Sequence, residues 1–242
     1  MLAILQKEFV SFFYSAAAYV IWSVFLVAAG LFIWILPDTS VLESGYASLE
    51  IFFEISPYLF LFLIPAITMN TFSEEYKSGT IELLYTRPLT DWQIIVGKFL
   101  GCWLVSCIAI LPTFIYYSIV WKLGLPPGNI DTASTIGSYI GLFLLSAAFT
   151  STGVFASSIT HNQIVAFILS FSLCYTLYDG FSALASLDKW SNYSYYIQQL
   201  GIHYHYKSLA RGLIDASDVV YLGSVVIFFL CFTRLILQRR KW

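Results

Sequence analysis

Six apolar runs, each about the length of a bilayer crossing, divide this 242-residue chain. An α-helix rises 1.5 Å per residue, so about 20 apolar residues cover the hydrocarbon core. The runs are Ala16–Leu36, Ile51–Phe72, Phe99–Trp121, Ile136–Ile159, Ile164–Leu187 and Val219–Leu237. Lipid offers no partner to a backbone N–H or C=O, so each run must satisfy itself as a helix. The second contains Glu54, Pro57 and Pro65, the third Pro112, the fifth Asp179, and Arg234 lies near the end of the sixth. Only Thr160–Gln163 separates the fourth run from the fifth, which predicts a tight helical hairpin. Lys7 precedes the first run, but the run is too long for a cleaved leader. No small-residue cleavage pattern follows it, so it reads as a retained helix.

The expected fold is therefore an all-α membrane protein of a single domain over residues 1–242. Residues 1–15 form an N-terminal interfacial helix, 16–237 the six-helix bundle and 238–242 a tail. Charged residues make up only 11% of the chain, against about 25% in a soluble domain. No basic tract of the kind that follows a phosphate backbone occurs, so nucleic acid is not an expected partner. Cys102, Cys107, Cys174 and Cys231 all sit inside apolar runs without metal or redox spacing and read as small hydrophobes.

An even number of spans puts both termini on one side. Lys7, Lys77, Arg87, Lys98, Arg234, Arg239, Arg240 and Lys241 fall on that side; Lys122, Lys189, Lys207 and Arg211 fall on the other. The positive-inside bias makes the termini cytoplasmic. In Met1–Ser15, Leu2, Leu5, Phe9, Phe12 and Phe13 recur at helical spacing, opposite Gln6, Lys7 and Glu8. That pattern suits a helix lying in the inner interface.

The segment after the second run carries most of the chain's functional signal. Glu74, Glu75, Lys77, Glu82, Arg87 and Asp91 crowd into a charge-poor sequence. Gly79 ends the emerging helix, and Thr80 caps a short one with Ile81, Leu84 and Tyr85 on one face. Pro88 stops it. Thr90 with Gln93 fits a capping box that opens the third span, where Lys98 is expected to snorkel to the inner surface. Glu74, Glu75, Gly79, Thr80, Glu82, Arg87 and Pro88 thus mark a short transverse helix, a lever suited to docking on another protein, the alternative being an ordinary charged loop on the inner face. In the turn between spans four and five, His161, Asn162 and Gln163 are either a second docking point or a plain polar turn. Asp179 either lines a pathway, holds a helix contact or lies near the outer interface. The last outer loop is rich in Tyr and Trp and holds His203 and His205, with no third metal ligand in evidence.

The string EEYKSGTIELLYTRPL (74–89), with WQIIVGK after it, resembles the signature of type-2 ABC exporter permeases. More narrowly, several segments resemble the gliding-motility-associated (Gld) ABC permease. These are KEFVSFF (7–13), PYLFLFLIPAITM (57–69), GTIELLYTRPLTDWQIIVGK (79–98), PPGNIDTASTIGSYIGLFLL (126–145), HNQIVAFI (161–168) and HYHYKSLARGLIDASDVVYL (203–222). The resemblance implies that 79–88 is the coupling helix and that short outer helices lie between spans five and six. It further implies an ABC ATPase partner, a second permease copy or related chain, and a bacterial inner-membrane location. No GxxxxGK loop is present, so ATP and Mg belong to the partner and this chain is expected to bind no cofactor and no metal. Cargo stays open between motility, polysaccharide, lipid-linked glycan and drug. A membrane enzyme or scaffold unrelated to ATP is the alternative of another class.

Overall fold

The computed structural model describes residues 1–43, 45–82, 89–187 and 193–239. Helices α1 (Leu2–Tyr14) and α2 (Ala16–Trp34) meet at an extended Ser15. The second span is α3 (Glu50–Thr68) continued, after a break at Met69, by α4 (Asn70–Ser78). The third is α5 (Asp91–Ile110), a 3₁₀ turn at Leu111–Thr113 around Pro112, and α6 (Phe114–Leu123). Helix α7 (Thr132–Ile159) is the fourth. The fifth is α8 (Gln163–Tyr175), a π-turn at Thr176–Gly180 and α9 (Phe181–Ala185). Short helices α10 (Ser194–Gln199) and α11 (Ile202–Ala210) precede the last span, α12 (Ala216–Arg239).

Six helices are long and apolar enough to cross a membrane, and the described residues contain no strand. Several ends differ from the hydropathy reading. The second span runs on from Phe72 to Ser78, because the polar, amphipathic α4 continues the helix past the end of the apolar run. The third begins at Asp91 rather than Phe99, because its cap, not its hydropathy, sets its start. That cap is the expected capping box: Thr90 Oγ1 accepts from Gln93 N–H, and the Gln93 side chain accepts from Thr90 N–H at 3.1 Å. Thr90→Ala should cost about 1 kcal/mol, read as a lower unfolding midpoint in detergent, while Thr90→Ser should retain most of it.

Helix α7 is the centre of the bundle. In its most apolar stretch 78% of residues are buried, against 22% for the first, fifth and sixth spans. Small side chains make that possible, since Ser, Thr, Ala and Gly let backbones approach without burying unpaired polar groups. The hydroxyls of Thr150, Ser151 and Thr152 each donate to a carbonyl one turn back. Ser157 does more. Its Oγ accepts from Phe72 N–H (3.0 Å) and Ser73 N–H (3.2 Å) and donates to Met69 O (3.1 Å). The hydroxyl thus ties α7 to the backbone at the α3–α4 break, where Met69 O also accepts from the Ser73 hydroxyl. At the end opposite the chain termini, Tyr139 and Tyr206 close the core, Tyr206 donating to Phe53 O at 2.8 Å.

Candidate coupling site

The end of the bundle that carries the termini gathers α1, α4, the start of α5, the α7–α8 turn and the end of α12. Helix α1 lies against α5 because Gly97 and Gly101 leave room for it. A Cβ on Gly101 would stand 2.9 Å from Glu8 Cβ. Ile4 and Glu8, one turn apart, therefore face α5. The sequence pattern placed Glu8 on the polar side with Lys7; the glycine groove turns it inward instead.

Lys98 is also corrected. It does not snorkel to a surface but is fully buried at 0% exposure. Its Nζ lies 2.8 Å from Glu8 Oε1 and 2.9 Å from Glu75 Oε2, and it donates to Thr71 O at 2.6 Å. The Phe72 ring centroid is 4.9 Å away. Lys7 reaches the other Glu75 oxygen at 2.6 Å. Two lysines and two glutamates thus form a neutral chain linking α1, α4 and α5. An ammonium inside apolar surroundings is tolerated only when so paired. Beside the network lies a cavity of about 1010 Å³ lined by residues of α1, α2, α3, α4 and α5.

Among the expected docking residues, Glu74, Gly79, Thr80 and Glu82 are exposed, whereas Glu75 is turned into the ion network. Gly79 ends α4 in the left-handed region (φ 71°). Ile81 is buried beside Phe72, Ile94 and Ile95, so the chain folds back onto the bundle directly after the turn. Residues 83–88, and with them Arg87, Pro88 and most of the expected transverse helix, lie outside the described residues. The α7–α8 turn stands next to this segment: the His161 ring meets Tyr76 of α4 edge-on at 5.2 Å. Asn162 caps α8, its Oδ1 accepting from Ile164 N–H at 2.9 Å, and Gln163 begins the helix. Arg234 of α12 lies over Trp92 of α5 at 5.3 Å. The two segments read separately as docking elements are therefore one continuous surface.

Asp179 lies at the opposite end, inside the π-turn. Its Oδ1 is 3.5 Å from His203 Nδ1, and His203 stacks on Tyr178. Such a turn inserts one residue into the helical ladder and re-aims its side chains. His203 and His205 diverge to different partners. His205 Nδ1 lies 2.7 Å from Asp218 Oδ1 and its Nε2 lies 2.9 Å from Gln199 O, with Tyr221 stacked on the ring at 3.9 Å. Ser208 donates to the other Asp218 oxygen, not to the histidine, so the trio clasps α11 to α12 rather than activating a nucleophile.

A family model described as ABC-2 family transporter protein matches residues 2–240. The chain belongs to this family. No curated protein matches the sequence closely enough to add a relative. An ABC-2 chain is a membrane-embedded permease subunit of an ABC transporter, and the family implies an ABC ATPase as partner. Such subunits are generally non-catalytic. The end of α4, Gly79–Glu82 and the α7–α8 turn form an exposed surface at the end of the bundle that carries the termini. The sequence reading missed Glu8 and Lys98. An acid in α1 and a base eight residues past a helix cap were the only signals available, and neither names its partner.

Proposed function

We propose that this chain is the permease subunit through which a separate ABC ATPase drives movement in the membrane, serving gliding motility or export. The observation that carries the reading is the joining of the two docking segments into one surface through Tyr76 and His161, backed by the Lys7–Glu75–Lys98–Glu8 network. When the partner closes on ATP, the segment around Gly79–Pro88 moves with it. Force on α4 passes to α1 and α5 through ion pairs, which are stiffer in apolar surroundings than in water. The spans attached to those helices then tilt, and a second permease copy or related chain completes the pathway. ATP and Mg stay in the partner, and the termini face the cytoplasm of a bacterial inner membrane. The segments 7–13, 57–69, 79–98 and 203–222, which resemble the Gld permease, favour motility among the uses open to an ABC-2 chain.

The test is affinity purification of the full chain from detergent-solubilised native membranes. The expected result is a nucleotide-binding ATPase in stoichiometric amount, released when 80–88 is replaced by a Gly-Ser linker of equal length. A chain that purifies without any ATPase, or a cysteine at Thr80 that reacts with an impermeant reagent outside intact cells, overturns the reading.

A further inference from the structure

At the end of the bundle opposite the coupling surface, two stripes of opposite charge face each other. Helix α3 carries Glu50, Glu54 and Tyr58 at four-residue spacing, which puts them on one helical face. Helix α11 carries His203 and Lys207 at the same spacing, with Arg211 just past its end. The outer pairs are loosely closed: Glu50 to Arg211 at 3.7 Å, and His203 to Asp179 at 3.5 Å. The middle is open. Glu54 and Lys207 pair neither with each other nor with any other described residue, and a cavity of about 270 Å³ lies there. Tyr58, Tyr178 and Tyr206 line it, and the Glu54 carboxylate bears electrostatically on all three.

We infer that this cavity binds the headgroup of a zwitterionic phospholipid, its ammonium at Glu54 and its phosphate at Lys207. Both side chains are exposed at the cavity mouth, and a ligand carrying both charges can engage the two at once, which neither a lone anion nor a lone cation does. Tyr58, 45% exposed at the mouth of the cavity, can meet an ammonium through its ring quadrupole, and charge-assisted bonds from Lys207 and Arg211 suit a phosphate. The level is right for a lipid. Glu50 opens a span and Asp179 nears the end of another, so the cavity sits where headgroups meet helix ends. Below Tyr58 the same face of α3 continues as Phe62, which is 61% exposed and packs on Phe171 at 5.1 Å, an apolar track for the acyl chain.

The test is native mass spectrometry of the full complex released from nanodiscs that hold equal amounts of phosphatidylethanolamine and phosphatidylglycerol. The wild type is expected to retain phosphatidylethanolamine several-fold over phosphatidylglycerol. Glu54→Gln and Lys207→Gln should each lower that retention roughly tenfold, as loss of one charge-assisted contact predicts. Glu43→Gln, an exposed acid outside the cavity, should leave it unchanged. Equal retention of the two lipids by the wild type overturns the proposal. So does unchanged retention in both cavity variants, as a simple Glu54–Lys207 ion pair would give. Full displacement of the lipid by soluble phosphoethanolamine overturns the lipid assignment in favour of a free zwitterion.

Discussion

Lys98→Met should destabilise the folded chain by about 3–5 kcal/mol, because it leaves Glu8 and Glu75 as buried acids without their shared cation. Glu8 loses this cation outright, whereas Glu75 keeps Lys7 at 2.6 Å, so the expected cost lies at the lower end of that range. The partners of Lys98 come from α1 and α4, so the loss loosens both at once. Unfolding in detergent should show the drop as a lower midpoint. The triple variant Glu8→Gln, Glu75→Gln, Lys98→Met removes the charges together and should regain most of the stability, since an apolar or neutral replacement of a buried ion set is often tolerated. It should not regain coupling: ATP turnover by the bound partner should continue while transport-linked or motility output stays low. A single variant as stable as the triple would show that the network carries no such load.

Gly79→Val should disconnect the coupling segment without removing the chain from the membrane. Gly79 adopts φ 71°, where a side chain costs about 1–2 kcal/mol and a β-branched one more. No atom of the described residues lies within 4 Å of a Cβ placed there, so the penalty argued here is that of the backbone. The chain relieves it by redirecting the turn after α4, which pulls Ile81 from its place beside Phe72 and Ile94. Output per ATP should fall about tenfold, the equivalent of 1.4 kcal/mol. Gly79→Asn should stay close to wild type, because Asn tolerates the left-handed region. Equal loss in both variants would mean that the side chain, not the turn, is at fault.

The capping box at Thr90 and the left-handed stop at Gly79 are legible in the sequence because each is written within four residues. The six spans are legible because lipid imposes one length scale on all of them. Lys98 is not, because its carboxylates stand 90 and 23 residues away and its snorkelling rule assumes an accessible surface. Glu8 is misread for a related reason. Periodicity in a 13-residue helix sorts polar from apolar, but a glycine groove in another helix decides which polar side chain is drawn inward. Asp179 meets His203 across a π-turn that no local pattern announces. Pairings between distant segments, rather than the segments themselves, are what the sequence conceals.

The Ser157 hydroxyl at the Met69 break has one further implication. A continuous helix resists bending because every tilt strains its own ladder. Here the amides of Phe72 and Ser73 lean on an oxygen belonging to α7, which is itself held by its bond to Met69 O. α4 therefore hangs on the central helix as well as on α3, so a load applied to it is shared with α7 at the break.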